Sequence, residues 1–188
     1  MTFTHHMAWH MFLVAVAAPI VATIIRHTPW APKPWRRRRL DPVRTAPALY
    51  LPLIACLIEF VVVWGWHLPA PHAAARHHGL WFAAEQLSFA AAALFLWTTI
   101  LGGDERERST RAGTGVIALV LTFAHMTMLG VLIAMAPREL YGHAAGGLVD
   151  QQQGGAVMVL AGALVYPAAA LWLSRSLVAP RAAGGGST

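Results

Sequence analysis

The sequence predicts an all-α, polytopic membrane bundle of about five transmembrane helices, and three observations carry that prediction. The 188 residues are 57% hydrophobic and only 12% charged, too apolar for an ordinary water-soluble domain of this length. Five long stretches are nearly free of charge, each close to the roughly 20 residues that cross a bilayer. The basic residues gather in alternate connections, as they do in cytoplasmic loops.

The predicted spans are 7–25, 46–66, 80–101, 115–136 and 154–173, forming one domain over 1–174. The first has no small-residue cleavage site, and its flanking charges follow it, so it is expected to be retained. Residues 26–45 form a basic loop stiffened by Pro29, Pro32, Pro34 and Pro42, suited to anchoring topology or meeting anionic lipid. The Gly/Ser-rich end of 175–188 reads as a flexible tail. Of the 14 Lys and Arg residues, 12 fall in the loop after the first span, the loop after the third, or the tail. Only Arg76 and Arg138 lie opposite, which puts the N-terminus outside and the C-terminus in the cytoplasm.

Composition also excludes several classes. A single cysteine, Cys56, rules out an internal disulfide framework and every multi-cysteine zinc or iron-sulfur signature. No phosphate loop, internal repeat or aromatic-interleaved basic surface is present, and topology accounts for the net charge of +6, so no nucleic-acid partner is expected. No nucleophile, base and orienting group stand together, so the chain is not expected to be an enzyme.

The polar residues are unevenly placed. His5, His6, His10, His67, His72, His77, His78 and His143 all fall at the outer ends of spans or in outer loops, whereas His27 is cytoplasmic and His125 is near mid-membrane. Ionisable groups inside a bilayer are costly and usually face the bundle interior, which singles out His125, Glu59 and Glu85. In HMAWHM, four-residue spacing puts His6, Met7, His10 and Met11 within one helical arc. Imidazole with thioether suits monovalent copper; an interfacial helix start with methionine filler has the same pattern. Cys56, Glu59, Val63 and His67 make a stripe on the second span, ending in WGWHLP, where Trp64 and Trp66 fit an interfacial belt. Glu59 can pair with histidine, carry a proton, approach a metal, or bond a neighbouring helix as the neutral acid. His125, Met128 and Met135 form a comparable stripe on the fourth span, readable as ligands or as packing. Asp150 lies just before the fifth span, where it is expected to cap that helix, and Gly154 and Gly155 permit a tight turn or a close helix approach.

Taken in order, HMAWHM, WGWHLP, LSFAAAALFLW, LGVLIAMAPRELYG and DQQQGGAVM resemble the CtaG-type cytochrome c oxidase assembly proteins across most of 4–173. The resemblance implies a compact five-helix membrane factor that assists formation of the copper B centre of a haem-copper oxidase. It singles out His6, Met7, His10 and Met11, then Trp66 and His67, Glu85 and Phe89, and Asp150, Gln151, Gly155 and Met158. Phe82 and Gln86 stand where many relatives carry histidines.

On this reading Cu(I) is held near the periplasmic face of a bacterial inner membrane. His6, His10, His67 and His125 are the expected imidazole ligands and Met7, Met11 and Met128 the exchangeable soft ones, with Glu59, Glu85 and Asp150 orienting or tuning them. The expected partners are the oxidase catalytic subunit, other copper chaperones and membrane lipid. A b-type haem protein using two of His10, His67 and His125, and a metal-free accessory subunit of the oxidase, are the alternatives. Reporter fusions test the orientation: one at Gly102 should report cytoplasm and one at Gly146 the outside, and the reverse pattern would invert the topology.

Overall fold

The structure is a computed structural model that describes residues 2–28, 42–102, 105–142 and 146–178. Most of the basic loop, His143 and the tail beyond Val178 lie outside the described residues. Within them the chain is helical without strands: α1 (Phe3–His27), α2 (Pro42–Trp66), α3 (Pro69–His77), α4 (Gly79–Leu101), α5 (Glu105–Ala134) and α6 (Gly147–Val178). Five of these are long and apolar enough to cross a membrane; α3 is a short helix between two of them.

Successive long helices run antiparallel, so that one end of the bundle gathers Phe3, His72, Tyr141 and Asp150 and the other Ile100, Gly115 and Leu173. The exterior is studded with apolar side chains such as Ile20, Leu57, Leu87, Leu121, Leu160 and Leu171. Glu59, Glu85, Thr122 and four of the histidines are inside, with at most 6% of their surface exposed. Apolar outside and polar inside is the arrangement lipid selects, because the bilayer offers polar groups no hydrogen bonds.

Two corrections to the sequence reading concern helix ends. The fifth span begins at Gly147 and not at 154, so the LVDQQQ segment is helical. Asp150, expected to cap its own helix, caps α1 instead: Oδ2 accepts from the Phe3 amide at 2.5 Å and Oδ1 from the Thr4 amide at 3.3 Å. Thr4 Oγ1 donates back to the Asp150 carbonyl at 2.9 Å, and Thr2 Oγ1 accepts from the His5 amide at 3.2 Å. A carboxylate is favoured here because the open amides and the positive end of the α1 dipole coincide.

Midway along α1 the backbone widens to a π-helix over Phe12–Ala17, with the Ala18 amide donating to Leu13 O, five residues back. In that register Pro19, which has no N–H, leaves the Val14 carbonyl without its helical donor. The Trp97 indole of α4 supplies one at 2.9 Å. One side chain thus satisfies a buried carbonyl and ties α1 to α4.

Small residues set the spacing of the other contacts. A β-carbon at Gly155 would lie 2.5 Å from the Ala134 amide and 2.7 Å from the Gly130 carbonyl, so α5 and α6 touch backbone to backbone. Its neighbour Gly154 faces α1, where a β-carbon would run into the Phe3 ring. The paired glycines therefore let α6 approach two helices at once. Gly155→Ala should lower the melting temperature of the detergent-purified protein by several degrees, since neither backbone atom can yield. Gly113→Ala, where a β-carbon meets nothing within 4 Å, should be neutral or mildly stabilising. Equal melting temperatures for the two variants would contradict this packing.

Candidate functional site

At the Asp150 end of the bundle, four histidines from three segments converge. His6 and His10 lie one turn apart on α1, His67 ends α2, and His72 is on α3. The His6 and His72 rings are 5.3 Å apart, edge to face, and those of His10 and His67 are 5.7 Å apart. Glu85 of α4 brings Oε1 to 3.3 Å from His6 Nε2, an ion-pair distance that falls outside hydrogen-bond geometry. One atom each of His6, His72 and Glu85 lie within 4.8 Å of one another, close enough to share an ion.

Each side chain is placed by a local cause. His67 Nδ1 meets the Val63 carbonyl at 2.6 Å, so this nitrogen carries the proton and Nε2 faces inward without one. Tyr141 Oη donates to the His67 carbonyl at 2.9 Å while its ring stacks on Phe3, centroids 4.8 Å apart, and packs on His72 at 4.5 Å. Phe89 lies 4.0 Å from His10 and 6.2 Å from His67, walling the lower pair. Trp66 Nε1 donates to Ser88 Oγ at 2.8 Å, and Ser88 Oγ donates to the Glu85 carbonyl at 2.8 Å, fastening α2 to the turn that presents Glu85. Gln86, beside it, donates to Glu85 Oε2 at 3.1 Å.

The cluster is conspicuous for what its nitrogens lack. His6 Nε2, both ring nitrogens of His10, His67 Nε2 and His72 Nε2 are buried without a hydrogen-bond partner. Leaving a single such atom without a partner costs about 1–3 kcal/mol. Burial favours the neutral imidazole in the two histidines beyond the spans: it brings His67 down to about 4 and His72, with the charges of His6, His67 and Arg76 adding, to about 3. Neutral imidazole is the form that ligates.

The remaining predicted residues are placed as follows. Met7 and Met11 are buried on α1, with Met7 Cγ packed against Gly154 on the α6 side. Met128 on α5 is half exposed and Met135, just past its end, three-quarters exposed, both facing outward. His125 is buried edge-on against Phe60, ring centroids 5.4 Å apart, with neither nitrogen bonded. Glu59 belongs to a separate buried group, where Thr122 Oγ1 reaches Glu59 Oε2 at 3.3 Å and Cys56 Sγ at 3.4 Å. Gln151 braces the α5–α6 connection: its Oε1 accepts from the Leu140 amide at 2.7 Å and its Nε2 donates to the Arg138 carbonyl at 3.4 Å. Met158 is fully buried in the core.

Sequence reasoning nominated neither His72 nor Tyr141 for the site. His72 lies on a short helix and not in an outer loop; Pro69 at its start and the alanines after His72 are the local signals for that helix. Tyr141 stands in an irregular segment, where no periodicity points inward.

No curated protein and no solved structure gives a match to this chain. The family model of the cytochrome c oxidase caa3 assembly factors (Caa3_CtaG) does match, over residues 1–179, and the chain belongs to that family.

Proposed function

We propose that this membrane protein assists oxidase assembly by holding Cu(I) transiently among His6, His10, His67 and His72, with Glu85 beside His6, and by passing it toward the copper B centre of the catalytic subunit. The observation that carries this reading is the set of buried ring nitrogens without hydrogen-bond partners. Ring separations of 5.3 and 5.7 Å suit an ion bridging two imidazoles, given metal–nitrogen bonds of about 2 Å. A monovalent ion beside one carboxylate leaves no net charge in a site of low dielectric. Neutral nitrogen ligands can hold Cu(I) without the slow exchange of a thiolate cage.

Met7, turned toward α6, Met11, and the outward-facing Met128 are not part of the site we propose. The distribution of basic residues supports an external, periplasmic position for the imidazole end in a bacterial inner membrane. A haem between His10 and His67 is disfavoured, because Phe89 packs 4.0 Å from His10 and the rings stand too close to admit a porphyrin plane.

Copper retained by the detergent-purified protein and maturation of the oxidase test the proposal together. His10→Ala and His67→Ala should each abolish both, and Glu85→Gln should weaken copper affinity about 10–100-fold. Unchanged copper binding and unchanged maturation in both alanine variants would refute the site, and leave a factor that acts by contact alone.

A further inference from the structure

A cleft of about 280 Å³ opens beside the imidazole cluster where α3 meets α4, and its lining includes His6, Arg76, His77, His78, Gly79 and Phe82. His6 at its inner end is 4% exposed, whereas His77 and His78 at its mouth are open to solvent. The last turn of α3 supplies His77, and the extended residue between α3 and α4 is His78 itself. The cleft links the buried His6 imidazole to the surface, and two further imidazoles line it.

We infer that His77 and His78 form an outer receiving site for Cu(I), from which the ion passes through this cleft to His6 and on to the buried histidines. The inference rests on reading the imidazole cluster as a copper site. A bare ion surrendered by a soluble donor would otherwise have to lose its ligands before reaching His6. Two imidazoles at the mouth let each new copper–nitrogen bond form before an old one breaks. Copper stays monovalent throughout, and the accepting nitrogen in each step is the ring nitrogen that bears no proton. The histidines are graded in depth, from His77 and His78 outside, through His6 and His72, to the fully buried His10. The Arg76 charge at the cleft is offset by its electrostatic interaction with the Asp150 carboxylate.

The route predicts a kinetic effect without an equilibrium one. Transfer of Cu(I) from a coloured bicinchoninate complex to the full-length protein in detergent would be followed by stopped flow, and retained copper by metal analysis. His77→Ala/His78→Ala should slow loading at least about tenfold with the final copper content unchanged. Gly79→Trp keeps every histidine and, since a β-carbon there meets nothing within 4 Å, should fill the cleft and slow loading similarly. Parental loading rates in both variants would overturn the route while leaving the buried site intact. Failure of the parent protein to take up copper would instead overturn the proposed function, and the route with it.

Discussion

The position of α1 is the constraint on which the rest of the site depends, and the Asp150 carboxylate holds it. Two amides of the first turn donate to this one side chain, at 2.5 and 3.3 Å. Hydrogen bonds to a charged acceptor contribute about 1.5–3 kcal/mol each, with the lower end appropriate to a partly exposed group. Because Gly154 lies one turn further along α6 and accepts the Phe3 ring, the carboxylate and the glycine fix the height and the distance of α1 together. His6 and His10 then fall level with His72 and His67. A slip of α1 by one turn, about 5.4 Å, would separate both pairs.

A second constraint comes from the surroundings. In a bilayer, polar groups must find their partners inside the bundle, as several here do: Trp97 caps the carbonyl exposed by Pro19, Gln151 braces a loop, and Thr122 reaches Cys56 and Glu59. Five buried ring nitrogens without hydrogen-bond partners lie in one place, more than at any other point among the described residues, where His125 adds two. Aromatic rings pack against them, Phe3 and Tyr141 on one side and Phe89 on the other, so their rotamers are held by packing.

Much of this was legible in the sequence. Five apolar runs correspond to the five long apolar helices, and the three- and four-residue spacings placed His6 with His10 and Cys56, Glu59 and His67 on buried faces. Periodicity specifies which face of a helix is polar but not which helix it meets. It therefore could not separate Met7, turned toward α6, from His6, turned toward α4, or show that Met128 faces outward while His125 packs on Phe60. The role of Asp150 was misread for a related reason: capping was assigned to the nearest helix in sequence, whereas the amides it serves are 146 and 147 residues away. His72 was passed over because a nine-residue helix of mostly small side chains leaves little periodic signal.

The central proposal is that this bundle holds Cu(I) through imidazoles, and not through sulfur. X-ray absorption at the copper edge of the Cu(I)-loaded protein tests it most directly, because nitrogen and sulfur neighbours scatter at different distances. The account predicts a first shell of two or three nitrogen scatterers at about 2 Å with the multiple-scattering pattern of imidazole. A shell dominated by sulfur at about 2.3 Å would contradict it, and would move the site to the methionines or to Cys56.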